Sequence, residues 1–212
     1  TYVMKKCGII IKLDFEKAYD KVNWDFLLKC LDNRGFGKTW CEWMRKILHN
    51  GTVCVKLNNT MGPYFQSYKG VRQGDPISPF LFNIASECLC KMVLQAQKNN
   101  LYVGLAADLV ENGVAILQYA DDTVLCIEHD RDKAVNLKLL LYMFELMSGL
   151  KINYQKSEIL CVGGNDNILQ TYADIFNCQI GHFPMKYLGV PVSYSSIRGV
   201  DWDFLEDKYI RR

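Results

Sequence analysis

Two adjacent aspartates, Asp121 and Asp122, are set between two apolar arms. The arms, residues 114–117 and 124–127, are rich in β-branched and large apolar side chains. This pattern predicts a hairpin of two buried strands joined by the polar connection 118–123. Two carboxylates so close together are unfavourable without a cation, so the turn is a candidate divalent-metal site. The alternative is a solvated turn, because aspartate is a common turn former.

A third aspartate, Asp14, ends a second apolar run. Residues 8–13 contain three consecutive isoleucines and predict a buried strand, and residues 16–20 have the pattern of the first turn of a helix. An aspartate at the end of a buried strand is poised over a cleft. This second carboxylate position favours the metal-site interpretation of the Asp121–Asp122 turn.

A glycine-containing loop, residues 70–79, precedes an apolar segment that predicts a long helix over residues 79–97. Glycine permits close approach of the backbone to a ligand, and Ser78 has the side-chain chemistry of a helix N-cap. Such a loop suits a bound nucleotide. The same residues are also explained by a loop that only caps the helix. Both interpretations stay open on these residues alone.

Composition sets the broad class of the protein. Half of the 212 residues are hydrophobic, which is enough for one sizeable core. No run of about eighteen uncharged apolar residues occurs and the N-terminus lacks the apolar segment of a signal peptide, so we expect a soluble, intracellular protein without a membrane span. The nine cysteines lack metal-ligand spacing and predict reduced, mostly buried thiols. A net charge of +2 is weak for a chain that holds nucleic acid.

Capping residues and apolar spacing predict the remaining elements. Asn23 is predicted to cap a helix that stops at Gly35, and the tryptophans of the following helix, Trp40 and Trp43, are expected in the core. Residues 99–113 predict an irregular connection. The other predicted elements are helices over 38–49, 130–147 (with Gly149 after its end) and 165–176, a hairpin of 53–57 with 64–68, a strand over 187–192, and a helix that opens at 202.

Several of these segments, in their order along the chain, resemble a known family. They are similar to the conserved motifs of reverse transcriptases. The variant of these motifs is that of LINE-type (non-LTR) retrotransposons, and it is close to the variant found in plant elements. The resemblance extends from about residue 8 to at least residue 191. The matching segments are 14–20 for motif A, 72–79 for motif B, 119–122 (Tyr-Ala-Asp-Asp) for motif C, 149–158 for motif D, and 186–190 for the short segment that follows.

This resemblance implies a role for the three aspartates. Asp14, Asp121 and Asp122 would hold two Mg²⁺ ions, for which Mn²⁺ is a substitute, and the backbone carbonyl of Phe15 would be a further ligand. One ion would activate a primer 3′-hydroxyl and the other would bind the triphosphate, so phosphoryl transfer needs no covalent nucleophile. Asp122 is implied to lie farther from the ions than the other two aspartates.

The resemblance also implies the contacts to the incoming nucleotide, which include Phe15. Tyr19 resembles the steric gate that rejects a 2′-hydroxyl, and Gln73 and Gly74 resemble the residues that line the nucleotide pocket. Lys156 resembles the lysine that approaches the triphosphate or protonates the leaving pyrophosphate. The ordinary alternatives are a packed aromatic for Tyr19 and a solvated surface residue for Lys156.

The implied fold is α+β, a polymerase palm with an antiparallel sheet backed by helices. Residues 1–192 would form the palm with motifs A to E, and residues 193–212 would begin a connection or thumb helix, with the fingers largely missing upstream and the thumb missing downstream. The implied function is that of an RNA-directed DNA polymerase within a larger polyprotein, which adds deoxynucleoside triphosphates to a DNA primer on an RNA template. Nuclear or cytoplasmic residence stays open.

Two alternatives to this function remain. The first is an inactive retrotransposon-derived fragment that acts at most as a nucleic-acid or protein binding module. The second is an RNA-dependent RNA polymerase, against which the gate-like Tyr19 and the Tyr-Ala-Asp-Asp turn both count.

Overall fold

The structure is a computed structural model that describes residues 7–110, 113–197 and 199–202. The chain divides into two units. We call residues 1–14, 94–138 and 153–212 the sheet unit, and residues 15–93 and 139–152 the helical unit. Asp14 is the last residue of the first segment of the sheet unit, and Phe15 opens the helical unit.

The sheet unit is built around the strand β1 (Gly8–Leu13), whose isoleucines favour extended backbone and pack on both faces. This strand pairs antiparallel with β7 (Asp122–Glu128) on one side and with β8 (Glu158–Val162) on the other. The strands β6 (Ile116–Tyr119) and β9 (Gln179–Ile180) complete a five-stranded sheet in the order β6-β7-β1-β8-β9. Ile9 and Ile11 are completely buried, so the centre of the sheet is also the centre of this unit's core.

The sheet differs from the sequence prediction in two respects. It is not wholly antiparallel, because β8 and β9 run parallel. The predicted hairpin of two buried strands is right for β7, in which residues 123–127 are all buried, and wrong for β6. Leu117 and Tyr119 of β6 are 44% and 66% exposed, because β6 is the edge strand and has a neighbour on one side only. The α+β class of mixed helix and sheet is confirmed.

Helices dominate the helical unit. They are α1 (Ala18–Lys21), α2 (Trp24–Asn33), α3 (Lys38–His49), the part of α4 (Ser78–Lys98) up to Val93, and the part of α5 (Arg131–Ser148) from Leu139 onward. The Asn23 side chain accepts a hydrogen bond from the Phe26 amide at 3.0 Å, so the predicted N-cap of α2 is confirmed. Gly35 follows this helix with φ 81°, a conformation that glycine adopts at no steric cost.

The last two helices are also close to their predicted bounds. Helix α5 (Arg131–Ser148) begins after Asp130, whose carboxylate accepts hydrogen bonds from two amides of its first turn. It ends at Gly149, which has φ 75° and no room for a side chain, since a Cβ there would lie 2.5 Å from the Lys21 carbonyl oxygen. Helix α6 (Asp166–Phe176) begins one residue after its predicted start, and the side chain of Asn165 is its N-cap.

The face of α3 that was expected in the core is only partly covered. Met44 and Leu48 are buried, but Trp43 and Ile47 are 55% and 49% exposed. The prediction that both tryptophans of this helix lie in the core is therefore wrong for Trp43, and Trp40 is only partly buried. Helical spacing identifies an apolar face, but it does not say how much of that face other elements cover.

The predicted hairpin between α3 and α4 is a nested ribbon of four short strands. Strand β2 (Thr52–Val53) pairs with β5 (Phe65–Gln66), and β3 (Lys56–Leu57) pairs with β4 (Thr60–Met61). The inner turn consists of Asn58 and Asn59, both with positive φ, whereas the sequence predicted a connection over 58–63. Asparagine tolerates this left-handed backbone better than most residues, which explains the tighter turn.

The C-terminal part also folds into a hairpin where one strand was predicted. Strands β10 (Met185–Tyr187) and β11 (Val190–Val192) pair antiparallel across Leu188 and Gly189, which both have positive φ. A 3₁₀ helix, Gly199–Trp202, follows. The helix predicted to open at residue 202 lies outside the described residues from 203 onward.

The irregular segment 99–113 contains an anchor that the sequence analysis did not identify. Tyr102 is 2% exposed, and its hydroxyl lies 2.9 Å from the carbonyl oxygen of Ala115 and also contacts that of Cys126. All nine cysteines are free thiols. Only Cys30 and Cys126 are buried, so the prediction of mostly buried thiols was too strong. Within the described part of the chain, no helix is long and apolar enough to cross a membrane.

Candidate functional site

Asp121 and Asp122 lie at the tip of the β6–β7 hairpin. Tyr119 pairs with Asp122, so Ala120 and Asp121 form a two-residue turn. Ala120 has φ 52°, in the left-handed region where a side chain is disfavoured. A non-glycine residue in this region costs about 1–2 kcal/mol, so the turn that presents the two exposed carboxylates is locally strained.

The register of the sheet brings Asp14 to the same end. The last paired residues of β1 and β7 are Leu13 and Thr123, so the next positions on these neighbouring strands are Asp14 and Asp122. All three aspartates are exposed. The structure thus brings together two acidic positions that are more than a hundred residues apart in the sequence.

The three carboxylates fit a site for a hard divalent cation by chemistry, because such ions take oxygen ligands. Their side chains do not yet converge on one point: among the residues that the structure describes, no three His, Cys, Asp or Glu side chains form a cluster that could hold an ion. Phe15, the next residue after Asp14, is buried and its ring packs edge-on against Phe144. Its side chain is therefore no ligand, and only its backbone could contribute.

The main chain of Asp14 is held by a turn within residues 149–158, the segment that resembles motif D. The Asp14 amide donates a hydrogen bond to the Ser157 hydroxyl at 3.0 Å, and the Asn153 amide donates to the Asp14 carbonyl at 2.7 Å. Ser157 is completely buried. Neither residue could be identified from the sequence, because a serine or an asparagine in a turn carries no signal for contact with a residue well over a hundred positions away.

Lys156 belongs to this same turn. Its amide donates to the carbonyl oxygen of Asn153 at 3.0 Å and to the Asn153 side chain at 3.2 Å, and its own side chain is exposed. The structure therefore places Lys156 one residue from the serine that contacts Asp14. Its exposure is equally compatible with the surface role that the sequence left open.

Tyr187 of the β10–β11 hairpin is a further residue near the acidic end of the sheet. The hairpin packs on the face of the sheet that carries Val124 and Cys126. Burial raises the pKa of the Tyr187 phenol, and the negative charge of Asp122 raises it further. Asp122 lies two residues before Val124 and so on the same face of β7. Motif C and the segment after motif D are thus neighbours in space.

Tyr19 and the motif B loop lie together in the helical unit. The Tyr19 ring stacks on Phe82 of α4, with centroids 4.6 Å apart and an interplanar angle of 12°. The carbonyl of Tyr19 accepts a hydrogen bond from the Val71 amide at 2.7 Å. Gly70, with φ 84°, is so close to motif A that a Cβ would lie 2.6 Å from the Asp20 carbonyl oxygen. The structure therefore joins motif A to the start of motif B.

Gln73 and Gly74 lie in an exposed turn just before α4. Gly74 has φ 90° and nothing within 4 Å of where a Cβ would be, so it needs glycine for its backbone conformation and not for space. The expected N-cap role of Ser78 is wrong: Ser78 is the first residue of α4 and is buried. Asp75 instead accepts a hydrogen bond from the Ile77 amide at 3.1 Å.

Comparison with known proteins agrees with this arrangement. The sequence pattern of the family described as "Reverse transcriptase (RNA-dependent DNA polymerase)" matches residues 2–192. The chain is 28% identical over 170 residues to a retrovirus-related Pol polyprotein from the type-1 retrotransposable element R2 of Popillia japonica, covering 77% of this chain and 22% of that protein. It is also 28% identical over 191 residues to the 149 kDa protein of transposon TX1 of Xenopus laevis, covering 86% of this chain and 14% of that protein.

The fold has counterparts among solved structures. Telomerase from Candida tropicalis, solved in complex with a TWJ fragment of telomeric RNA, superposes with a TM-score of 0.60 at 13% sequence identity, covering 88% of this chain and 28% of that one. This likeness concerns the fold alone. With the family match over residues 2–192 and relatives from non-LTR elements, the chain belongs to the reverse transcriptase (RNA-directed DNA polymerase) family, in its LINE-type branch.

Proposed function

We propose that this chain is the palm of a reverse transcriptase and carries out two-metal nucleotidyl transfer, adding deoxynucleotides to a primer on an RNA template. The observation that carries the proposal is the position of Asp14 beside Asp122 at the end of β1 and β7, with Asp121 in the adjoining turn. The chain spans only 22% and 14% of the two retrotransposon relatives, and we propose that it acts within a larger polyprotein of the same kind.

Asp14, Asp121 and Asp122 would hold the divalent ions, with the backbone carbonyl of Phe15 as a further ligand. Two such ions supply charge neutralisation and activate the primer hydroxyl when they are bound, and Mg²⁺ or Mn²⁺ suits oxygen ligands. The protein's own part is to fix the carboxylates in place: Asp14 through the hydrogen bonds of its main chain, and the pair through the short turn. Lys156 would approach the triphosphate.

Tyr19 would exclude ribonucleotides. A ring that closes the space beside the sugar C2′ leaves no room for a hydroxyl group, so a deoxynucleotide binds and a ribonucleotide does not. The stacking of Tyr19 on Phe82 supports this role, because a gate has to be rigid to discriminate. Gln73 and Gly74 would line the same pocket, where an exposed turn without side-chain bulk at Gly74 leaves access for a ligand.

A basic, aromatic segment supports a nucleic-acid partner. Residues 43–74 contain five lysines and arginines and no aspartate or glutamate, although the whole chain has a net charge of only +2. Tyr64, Phe65 and Tyr68 in this segment are 66%, 52% and 83% exposed. Positive charge attracts phosphates and exposed rings stack on unpaired bases, which suits a single-stranded template. The RNA in the telomerase complex is consistent with a nucleic-acid partner for this fold.

The domain limits that we propose follow the family match. Residues 1–192 would form the palm, which agrees with the match over residues 2–192. Residues 193–212 would begin the connection to the thumb, of which the structure describes the 3₁₀ helix Gly199–Trp202. The relatives from retrotransposons favour an intracellular protein, in the nucleus or the cytoplasm.

The test is incorporation of deoxynucleotides on a primed RNA template with Mg²⁺. It uses this chain placed between the flanking segments of an R2-type polyprotein, and compares it with the chain alone. Asp121→Asn removes one charge without changing the shape of the side chain. Asp166→Asn makes the same change at an exposed position in the first turn of α6 and is the matched control.

Incorporation that is retained in Asp166→Asn and lost in Asp121→Asn supports the proposal. Loss of a single ligand carboxylate in a two-metal site commonly costs several kcal/mol of transition-state stabilisation, so the activity of Asp121→Asn should fall by a factor of about 1,000 or more. The proposal is contradicted if the unaltered protein, with Asp121 and Asp166 both present, folds and binds the primed template but incorporates no deoxynucleotide. The same protein would then be a retrotransposon-derived binding module.

A further inference from the structure

The main chain of Asp14 lies just beyond the last paired residues of β1 on both sides, and backbone pairing resumes at an isolated bridge between Phe15 and Ile152. Pairing of β1 with β8 ends at Lys12 and Glu158, and pairing with β7 ends at Leu13 and Thr123. Beyond Lys12, the place of β8 is taken by the turn that precedes it, residues 153–157. Any donor or acceptor of the Asp14 backbone on that side therefore depends on this turn for a partner.

The turn supplies both partners. The Ser157 hydroxyl accepts the hydrogen bond from the Asp14 amide at 3.0 Å and donates its own proton to the Asn153 carbonyl oxygen at 2.9 Å. The Asn153 amide donates to the Asp14 carbonyl oxygen at 2.7 Å. The amide and the carbonyl of Asp14 are thus both bound by one short segment, and the Ser157 hydroxyl links the Asp14 amide to the Asn153 backbone.

This pair of hydrogen bonds requires a hydroxyl group at residue 157. A single side-chain oxygen both accepts from one backbone amide and donates to a backbone carbonyl, which among small residues only serine and threonine do. Ser157 is completely buried, and removal of its hydroxyl leaves the Asp14 amide without this acceptor. A buried amide without a partner is unfavourable, and the backbone of Asp14 would have to move to reach another one.

We infer that Ser157, with Asn153, is a positioning residue for the first carboxylate of the site. The turn that carries Lys156 fixes the main chain of Asp14 and thereby sets where its carboxylate meets the carboxylates of the β6–β7 turn. Because the metal role of Asp14 is itself our proposed function, this inference rests on that proposal.

The inference gives a definite expectation for metal binding. Residues that orient a metal ligand without touching the metal typically contribute a factor of roughly 10 to 100 in affinity. We therefore expect Ser157→Ala to weaken Mn²⁺ binding by about 10-fold or more. Ser157→Thr keeps the hydroxyl and should stay within about threefold of the original affinity.

The experiment measures binding of Mn²⁺ alone to the full 212-residue chain by electron paramagnetic resonance of the free ion. The matched control is Ser148→Ala. Ser148 is also completely buried, and its hydroxyl accepts from the Leu150 amide at 3.1 Å and donates to the Phe144 carbonyl at 2.6 Å. Ser148→Ala removes the same pair of hydrogen bonds, one accepted and one donated, at a place that does not contact Asp14. Asp121→Asn reports whether the carboxylates bind the ion at all.

Weaker binding in Ser157→Ala, with near-normal binding in Ser157→Thr and Ser148→Ala, supports the inference. Equal affinity in Ser157→Ala and Ser148→Ala, while Asp121→Asn loses Mn²⁺, overturns the positioning role and leaves the proposed function intact. Binding that Asp121→Asn does not change overturns the metal site itself, and the positioning role with it.

A second measurement does not depend on whether the variants fold. The Asp14 amide of the unaltered chain should be protected from hydrogen exchange, although it lies just beyond the last strand residue, because Ser157 accepts its hydrogen. Protection comparable to that of the central β1 amides agrees with the inference. Exchange as fast as that of an exposed loop amide contradicts it.

Discussion

The ring of Tyr19 lies flat on the ring of Phe82, with centroids 4.6 Å apart and planes 12° from parallel. Phe82 is completely buried in α4, whereas Tyr19 is partly exposed. One ring of the pair is therefore part of the core and holds the other at the surface. This arrangement suits a side chain that has to block one substrate and admit another.

The first prediction concerns the proposed gate role of Tyr19. Tyr19→Ala should lower the preference for deoxynucleotides over ribonucleotides on the order of 100-fold, because the space beside C2′ opens. Tyr19→Phe keeps the ring and should leave the preference within a few-fold. The measurement is the ratio of kcat/KM for the two nucleotide classes in the polyprotein context. An unchanged ratio in an active Tyr19→Ala enzyme would show that Tyr19 only packs on Phe82.

The second prediction concerns the strained turn. Ala120 has φ 52°, so Ala120→Gly should raise the free energy of unfolding by up to about 1 kcal/mol, and Ala120→Val should lower it by more than that. Urea denaturation measures both. The control is Ala107→Gly, at an exposed loop position whose backbone is not in the left-handed region. Glycine gives the unfolded chain more conformational freedom, so at this position it should leave the free energy of unfolding unchanged or lower it. Destabilisation by Ala120→Gly would refute the strained geometry.

The third prediction concerns Tyr102. Burial raises the pKa of its phenol far above the ordinary value, so the folded protein keeps the proton at a pH where the unfolded chain loses it. The unfolded state then binds fewer protons, and stability should fall as the pH rises above about 10. Tyr102→Phe should cost about 1 kcal/mol at neutral pH through the lost hydrogen bond, and should remove part of the alkaline loss.

Chemical denaturation at pH 8 to 11 tests this prediction, with Tyr142→Phe as the control at a residue that is 57% exposed. The control should match the unaltered protein at every pH. If Tyr102→Phe shows the same fall in stability at high pH as the unaltered protein, titration of Tyr102 is not its cause.

The fourth prediction concerns the thiols of Cys30 and Cys88, whose sulfur atoms lie 3.2 Å apart. The hydrogen bond from Cys30 lowers the pKa of Cys88, and nearby Lys91 and Arg34 act in the same direction. The pKa of Cys30 is correspondingly raised. Alkylation of Cys88 should therefore reach half its maximal rate at a lower pH than that of an ordinary thiol. Mass spectrometry of alkylated peptides measures this midpoint.

Cys30→Ala removes the donor to Cys88 and should move the alkylation midpoint of Cys88 upward. Cys178, whose pKa burial raises to about 11, is the internal reference and should react only at high pH. Alkylation of Cys88 that does not depend on residue 30 would refute the hydrogen-bonded pair.

Much of the local structure could be predicted from the sequence because it depends on local chemistry. Asn23 caps a helix through a hydrogen bond to the amide three residues away, and Gly149 ends α5 because no side chain fits there. The two acidic positions could be identified in the same way, since Asp14 follows an apolar strand and Asp121 with Asp122 lies between two apolar segments. Their proximity was implied only by the resemblance to the family.

The remaining features depend on contacts between distant parts of the chain. The hydrogen bond between Asp14 and Ser157 joins residues 143 positions apart, and no periodicity in the sequence encodes it. The exposure of Leu117 follows from the position of β6 at the edge of the sheet, which the strand's own composition does not reveal. Trp43 shows the same limit for a helix: an apolar face can be recognised without knowing what covers it.

The most direct test of the central claim is to locate the ion itself. Fe²⁺ binds oxygen ligands at sites for Mg²⁺, and with ascorbate and peroxide it generates hydroxyl radicals that cut the nearby backbone. We predict cleavage of the chain at two places, around residue 14 and around residues 121–122, suppressed by excess Mg²⁺ and absent in Asp121→Asn. Cleavage at only one of these places, or cleavage that Asp121→Asn leaves unchanged, would contradict a shared metal site.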